Sequence, residues 1–514
     1  MTVRKARAVS VALALVAVAR VALGQEPGAA PSAAASAMQA IVPAIPAPLA
    51  APSPHTGLLR VVLGLAAAFV LAIAATHPLV RRIERRLGLT VLLSSGLPFL
   101  AMGFVFRLPS VGVLTDDVVS DLRPVLEFGL GWLGFVVGMH FDMRELDTLP
   151  PKTGNVVVVE SAIPFAAAAL ACALVLIGLD PLWGTTGGSG FREQLTLSFQ
   201  RASLRDALAL GACAAPAAPV AAVAIARSSG NAAAQLINRV TLLNDVAGVV
   251  VIGLICAYFR PTDVLSAWKL PHVAWVFFTL GLGGVLGILT YALVRSARSQ
   301  AEEMALLLGA IALSAGMSGY LSISPLVTCA IAGALLTNLP YKRMRALKET
   351  IAQVERPLYL IFLLVAGALW NPRAWQGWVL ALVFVLSRVG GKLMGAHVAK
   401  RVGPEELPDP DTLGLALAAQ SPIAIATIVS YVTIYKNAEG TNAALPWLMT
   451  TCIGGAVLTE VVVQLIARSR GGLKLERDMS RPSIVSMTPP RLASDVPPPL
   501  PPGAPLPRFP SDHQ

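Results

Sequence analysis

The chain has 514 residues, of which 55% are hydrophobic and 13% charged, and its mean hydropathy is +0.68. Soluble domains carry about 25% charged residues, so this composition excludes a water-soluble enzyme of ordinary surface chemistry and points to a polytopic membrane protein. The formal charge of +11 has no basic soluble domain to carry it, which argues against nucleic-acid binding and leaves the cytoplasmic charge bias of a membrane protein.

Residues 1–24 carry a basic head (Arg4, Lys5, Arg7), an apolar stretch and a small-residue site at Ala22-Leu23-Gly24, the pattern of a signal peptide. Residues 25–56 are rich in Ala, Pro and Ser and read as a disordered linker. The transmembrane domain is expected over 57–470, followed by a Pro-rich cytoplasmic tail over 471–514 that is extended and disordered.

Hydropathy predicts about thirteen helical spans, near 57–80, 89–107, 123–141, 153–179, 203–227, 233–259, 270–296, 302–320, 323–339, 354–371, 374–399, 411–435 and 443–468. Arg81, Arg82, Arg85 and Arg86 follow span one, Arg295 and Arg298 span seven, and Lys342, Arg343, Arg345 and Lys348 span nine. Lys400 and Arg401 follow span eleven, and Arg468 and Arg470 span thirteen. All lie after odd-numbered spans, so those loops are cytoplasmic and the mature N-terminus is outside, as a cleaved signal peptide also requires. The glycine-rich piece at 184–190 then lies outside; without a following Lys it reads as a flexible linker rather than a phosphate loop. The five cysteines, Cys172, Cys213, Cys256, Cys329 and Cys452, all fall in apolar stretches without metal-ligand spacing and read as core residues.

Ionisable groups inside a membrane are costly, so each marks a candidate site. Span six holds Asn244 and Asp245 near mid-membrane, with Thr241 one turn earlier on the same face. A buried carboxylate there can bind a proton or a hard monovalent cation, and competition between the two is a basis for exchange. Span five contains Ala217, Ala218 and Pro219 after Pro216; span twelve has Gln420, Ser421 and Pro422. Both are expected to break their helices. With six spans on either side of span seven, the halves form inverted repeats, and the breaks fall in the fifth span of each, the arrangement that marks a secondary transporter's binding site. Arg388 and Lys392 share one face of span eleven, and Asp245 is the obvious partner for at least one of them. Glu160 and Glu460 are read as structural partners of these bases, and His140 and His397 as interfacial. No nucleophile–base pair or metal-ligand cluster suggests an enzyme, and no cofactor is expected.

Four stretches in this order resemble the monovalent cation:proton antiporter superfamily of sodium/proton exchangers and Kef-type antiporters. They are LEFGLGWLGFVVGMHFDMREL at 126–146, GACAAPAAPVAAVAI at 211–225, LLNDVAGVVV at 242–251 and SRVGGKLMGA at 387–396. The resemblance implies an all-α antiporter fold in the inner (cytoplasmic) membrane, a homodimer, and a core of spans three to six and ten to thirteen that moves like an elevator. It implies Asp245 as the alternating proton and Na⁺ or K⁺ ligand, Asn244 as its neutral neighbour and Arg388 or Lys392 as a stabilising base. Members with an Asn-Asp pair usually exchange one proton per cation. Sodium exchangers carry Thr-Asp where this chain has Ala217-Ala218, which leaves ion selectivity open. The alternatives are a non-transporting membrane sensor or scaffold on the same fold, or a transporter of another solute.

Overall fold

The computed structural model describes residues 96–108, 114, 116–178, 202–226, 229–260, 270–439 and 444–469, all within the second of two compact units, 57–514. The signal peptide, the linker, span one, the Arg81–Arg86 loop, the stretch at 184–190 and the Pro-rich tail lie outside the described residues. The described residues form sixteen helices: α1 (Leu97–Arg107), α2 (Asp116–Asp121), α3 (Arg123–Met139), α4 (Met143–Leu146), α5 (Thr153–Gly178), α6 (Ala202–Ala214), α7 (Pro219–Ala226) and α8 (Asn231–Tyr258), then α9 (His272–Ser296), α10 (Gln300–Tyr320), α11 (Pro325–Asn338), α12 (Met344–Leu369), α13 (Trp375–Val402), α14 (Pro410–Ala416), α15 (Pro422–Glu439) and α16 (Ala444–Ser469).

Six of them, α5, α8, α9, α10, α12 and α13, are long and apolar enough to cross a membrane. They coincide with expected spans four, six, seven, eight, ten and eleven. In a bilayer a helix satisfies its own backbone, and apolar side chains can then face lipid on one side and protein on the other. Exposed Leu170, Leu174, Phe277, Val285 and Leu386 against buried Leu210, Phe362 and Phe384 follow that division.

Local signals set the helix starts. Pro219, Pro325 and Pro422 each occupy the first helical position, where a missing N–H costs nothing. Ser299 caps α10 by accepting the Glu302 N–H at 3.2 Å. Glycines set the closest approaches. Gly134 and Gly138 on α3 press on the backbone of Leu326 and Ala330 in α11, and Gly333 of α11 presses back on Phe135. Without a hydrophobic drive between helices in lipid, such contacts between small residues let backbones pack directly.

The helices sort into two groups by packing. One comprises α1, α3, α9, α10, α11 and α12; its strongest pairings are α3 with α11, α9 with α11, and α12 with α1. The other comprises α5, α6, α7, α13, α14, α15 and α16, led by α5 with α13 and with α6, and α13 with α16. α8 packs on α5, α6 and α7 and also touches α9 and α11, so it lines the seam. This corrects the expected division: α3 and α12, spans three and ten, pack with the first group. The second group with α8 therefore contains spans four to six and eleven to thirteen. The cause is the glycine interlock of α3 with α11 and the contact of Gly103 and Gly367 between α1 and α12.

Candidate functional site

Both expected helix breaks are present, and they meet. α6 stops at Ala214 and α7 begins at Pro219; α14 stops at Ala416 and α15 begins at Pro422. Between them the chain leaves the helix, Ala217 pairs with Gln420 in an isolated antiparallel bridge, and the Ala218 N–H donates to the Ala419 carbonyl at 2.9 Å. Pro216 lies in the gap and Pro219 starts the next helix, so neither proline sits in a helix interior.

Two unwound stretches strand carbonyl oxygens at the ends of α6 and α14, deep in an apolar interior. α13 supplies the donors. Arg388 donates through Nη2 to the Pro216 carbonyl at 2.7 Å and the Ala419 carbonyl at 3.3 Å, and through Nη1 to the Ala418 carbonyl. Lys392 donates to the carbonyls of Ala215 at 2.8 Å and Glu160 at 2.7 Å. Both bases are completely buried. Cations at the negative ends of helix dipoles are electrostatically matched to those positions.

The opposite polarity meets the carboxylate. Ser421 accepts the Ile423 N–H at 3.2 Å as the N-cap of α15 and lies within interaction reach of Asp245 on α8. The positive end of α15 thus abuts an acid. Gly248, one turn beyond Asp245, admits Pro216: a Cβ there would lie 2.6 Å from the proline Cγ. Beside Asp245, the Asn244 side-chain oxygen Oδ1 accepts from the Ser161 hydroxyl of α5 at 3.1 Å. Asp245 is 2% exposed, yet its Oδ1 has no hydrogen-bond partner, and neither has Asn244 Nδ2. Thr241 is buried on the same helix and spends its proton on the Asn238 carbonyl at 2.8 Å. Gln420 donates to Cys452 Sγ at 3.1 Å and leaves its Oε1 without a partner.

The structure therefore brings Asp245, Asn244, Ser421, Arg388 and Lys392 to the crossing of two broken helices. One expectation is revised: the protons of the two bases go to backbone carbonyls, and the ion pair formed is Lys392 with Glu160, at 3.9 Å, rather than with Asp245. Asp245 is in electrostatic reach of both bases without a direct contact. Glu460 on α16 lies in electrostatic reach of Tyr359. His397 is exposed and bonds the Leu393 carbonyl, whereas His140 is enclosed at the end of α3, both ring nitrogens without a partner. Sequence reasoning passed over Ser161, an isolated serine with no pattern around it. It also passed over a buried cluster at the far ends of α6 and α15. There Arg205 donates to Tyr431 at 2.6 Å and pairs with Asp206 at 3.3 Å, while its guanidinium lies 3.9 Å from the Tyr435 ring centre. Two adjacent charges at the start of a span, Arg205-Asp206, were the signal available.

A helical assembly with two unwound segments crossing over a buried acid defines a helical membrane transporter of the broken-helix class. The chain belongs to the sodium/hydrogen exchanger transmembrane family, whose sequence profile matches residues 68–464. That match covers both breaks, Asp245 and both α13 bases. No individual curated protein matches the chain. The family is one of cation/proton antiporters, so the chain is a multi-pass membrane protein with a cation and the proton as its family-level substrates.

Proposed function

We propose that this protein exchanges Na⁺ or K⁺ for H⁺ by alternating access, with Asp245 binding either the cation or a proton. The observation that carries the reading is Asp245 Oδ1: an acidic oxygen at the helix crossing, out of water and without a partner. A group in that state is costly unless a cation or a proton completes it. Asn244, beside it, and Thr241, one turn away, add neutral oxygens of the kind hard cations accept. Arg388 and Lys392 act as stabilising bases by holding the unwound stretches, with Ala217, Ala218, Pro219, Gln420, Ser421 and Pro422 forming the crossing.

In this reading the molecule has thirteen spans as two inverted repeats and works as a homodimer in the inner membrane, N-terminus outside and C-terminus cytoplasmic. The α5–α8 and α13–α16 group carries Asp245 past the other helices, one proton per cation. A second reading, a non-transporting sensor or scaffold, draws on the methyl side chains of Ala217 and Ala218, which give the crossing no side-chain oxygen. Proteoliposomes with an internal pH dye, given Na⁺, K⁺ and Li⁺ in turn, separate the two. The exchange reading expects a cation-dependent signal that Asp245→Asn abolishes while the protein stays folded. Silence with every cation across a range of pH, from folded protein, favours the second reading.

A further inference from the structure

We infer that Glu160 on α5 is the second carboxylate of the exchange site and shares a single exchangeable proton with Asp245. This rests on the exchange reading above and names a residue it does not use.

Glu160 is completely buried, and neither carboxylate oxygen has a hydrogen-bond partner. Its nearest base is Lys392, at 3.9 Å, whose ammonium donates instead to the Glu160 and Ala215 carbonyls. A structural ion pair in a dry interior holds only when hydrogen bonds satisfy both partners. Here the lysine is satisfied by backbone and the carboxylate is left bare, as Asp245 Oδ1 is. α13 opens space for that carboxylate: a Cβ on Gly395 would sit 3.2 Å from Glu160 Oε1, and Gly391 lets Pro164 of α5 approach. The next residue, Ser161, bonds Asn244, so α5 and α8 present Glu160-Ser161 and Asn244-Asp245 to one region.

Charge then fixes the role. Arg388 and Lys392 act electrostatically on both carboxylates. With all four groups ionised the cluster is neutral, and one added monovalent ion makes it singly positive. A proton on either carboxylate gives the same charge as a bound cation. Entry of the cation therefore expels the shared proton to the water on the open side, and both loaded forms carry equal charge. The charged groups facing Glu160 are Lys392 and Arg388 from α13, which also act on Asp245 of α8; α6 ends beside it at the Ala215 carbonyl.

Removing the Glu160 charge leaves the two bases opposed by Asp245 alone, so a cation must enter a site that is already positive. Glu160→Gln should raise the cation KM at least ~10-fold at little cost in maximal rate, as expected for the loss of one nearby charge at an effective dielectric of ~20. Glu160→Asp, which keeps the charge, should restore the cation KM toward the wild-type value. An unchanged KM in Glu160→Gln, with Asp245→Asn inactive, overturns this inference and spares the exchange reading. Infrared difference spectra of the purified full-length protein between acid and alkaline pH provide a readout independent of transport. A protonated-carboxyl band that NaCl or KCl diminishes, and that Glu160→Gln and Asp245→Asn each displace, supports the shared proton even if no flux is seen. A band that Glu160→Gln leaves untouched overturns it.

Discussion

Arg388 holds three carbonyl oxygens from two different unwound stretches, and only a planar guanidinium with several fixed donors spans them. Arg388→Lys keeps the charge but cannot reach all three, so at least one buried carbonyl is orphaned. The variant should lose about 1–3 kcal/mol, the cost of an unsatisfied buried polar group, visible as a lower Tm in detergent. An unchanged Tm would mean that the guanidinium does not clamp the crossing. At this scale the sequence was informative wherever a charge stood against an apolar background: Asp245, Arg388, Lys392 and Glu160 were all legible as intramembrane ionisable groups. The pairing of Glu160 with one of the bases was legible too, but the other partners of Arg388 and Lys392 were not. Arg388 and Lys392 spend their protons on backbone carbonyls, and a carbonyl has no side chain to announce it. Ser161 was invisible for the related reason that one small hydroxyl in a membrane helix has many uses.

The broken helices were legible because proline and its neighbours limit where a helix can run, and Pro219 and Pro422 do begin α7 and α15. What the sequence could not give was the partner of each break: the bridge of Ala217 to Gln420 joins residues far apart in the chain, and the bond involved is main-chain only. Gly248 sits where α8 must pass Pro216, so its absent side chain is a requirement of the crossing. Gly248→Ala would place a methyl carbon 2.6 Å from Pro216 Cγ and should destabilise the protein by about 1–3 kcal/mol, the usual cost of overpacking, while reducing exchange. Wild-type Tm and exchange in that variant would show that the break has room to spare. The grouping of α3 and α12 differs from the one the family resemblance implies. Helix pairing in lipid follows where small residues let backbones touch, and Gly134, Gly138 and Gly333 become a set only when the helices are paired.

Across the whole molecule, polar contacts cross the seam between the two helix groups at both ends. Ser324, ahead of α11, bonds Ser430 of α15 at 2.7 Å in a buried setting. Arg239 of α8 pairs with Glu145 of α4, which also lies 3.5 Å from Lys348 of α12. If exchange needs the groups to slide past each other, such contacts must break and re-form. A Ser324→Cys, Ser430→Cys double variant, oxidised to a disulfide, should stop exchange, and reduction should restore it. Exchange at the wild-type rate while cross-linked would rule out sliding at this seam. The central claim is that proton and cation compete for one site at Asp245, and the apparent cation KM as a function of pH tests it most directly. Competition predicts a KM that rises in proportion to proton concentration at acid pH, about tenfold per pH unit, with the maximal rate unchanged. A cation KM that stays flat across the same pH range in an active protein would contradict a shared site.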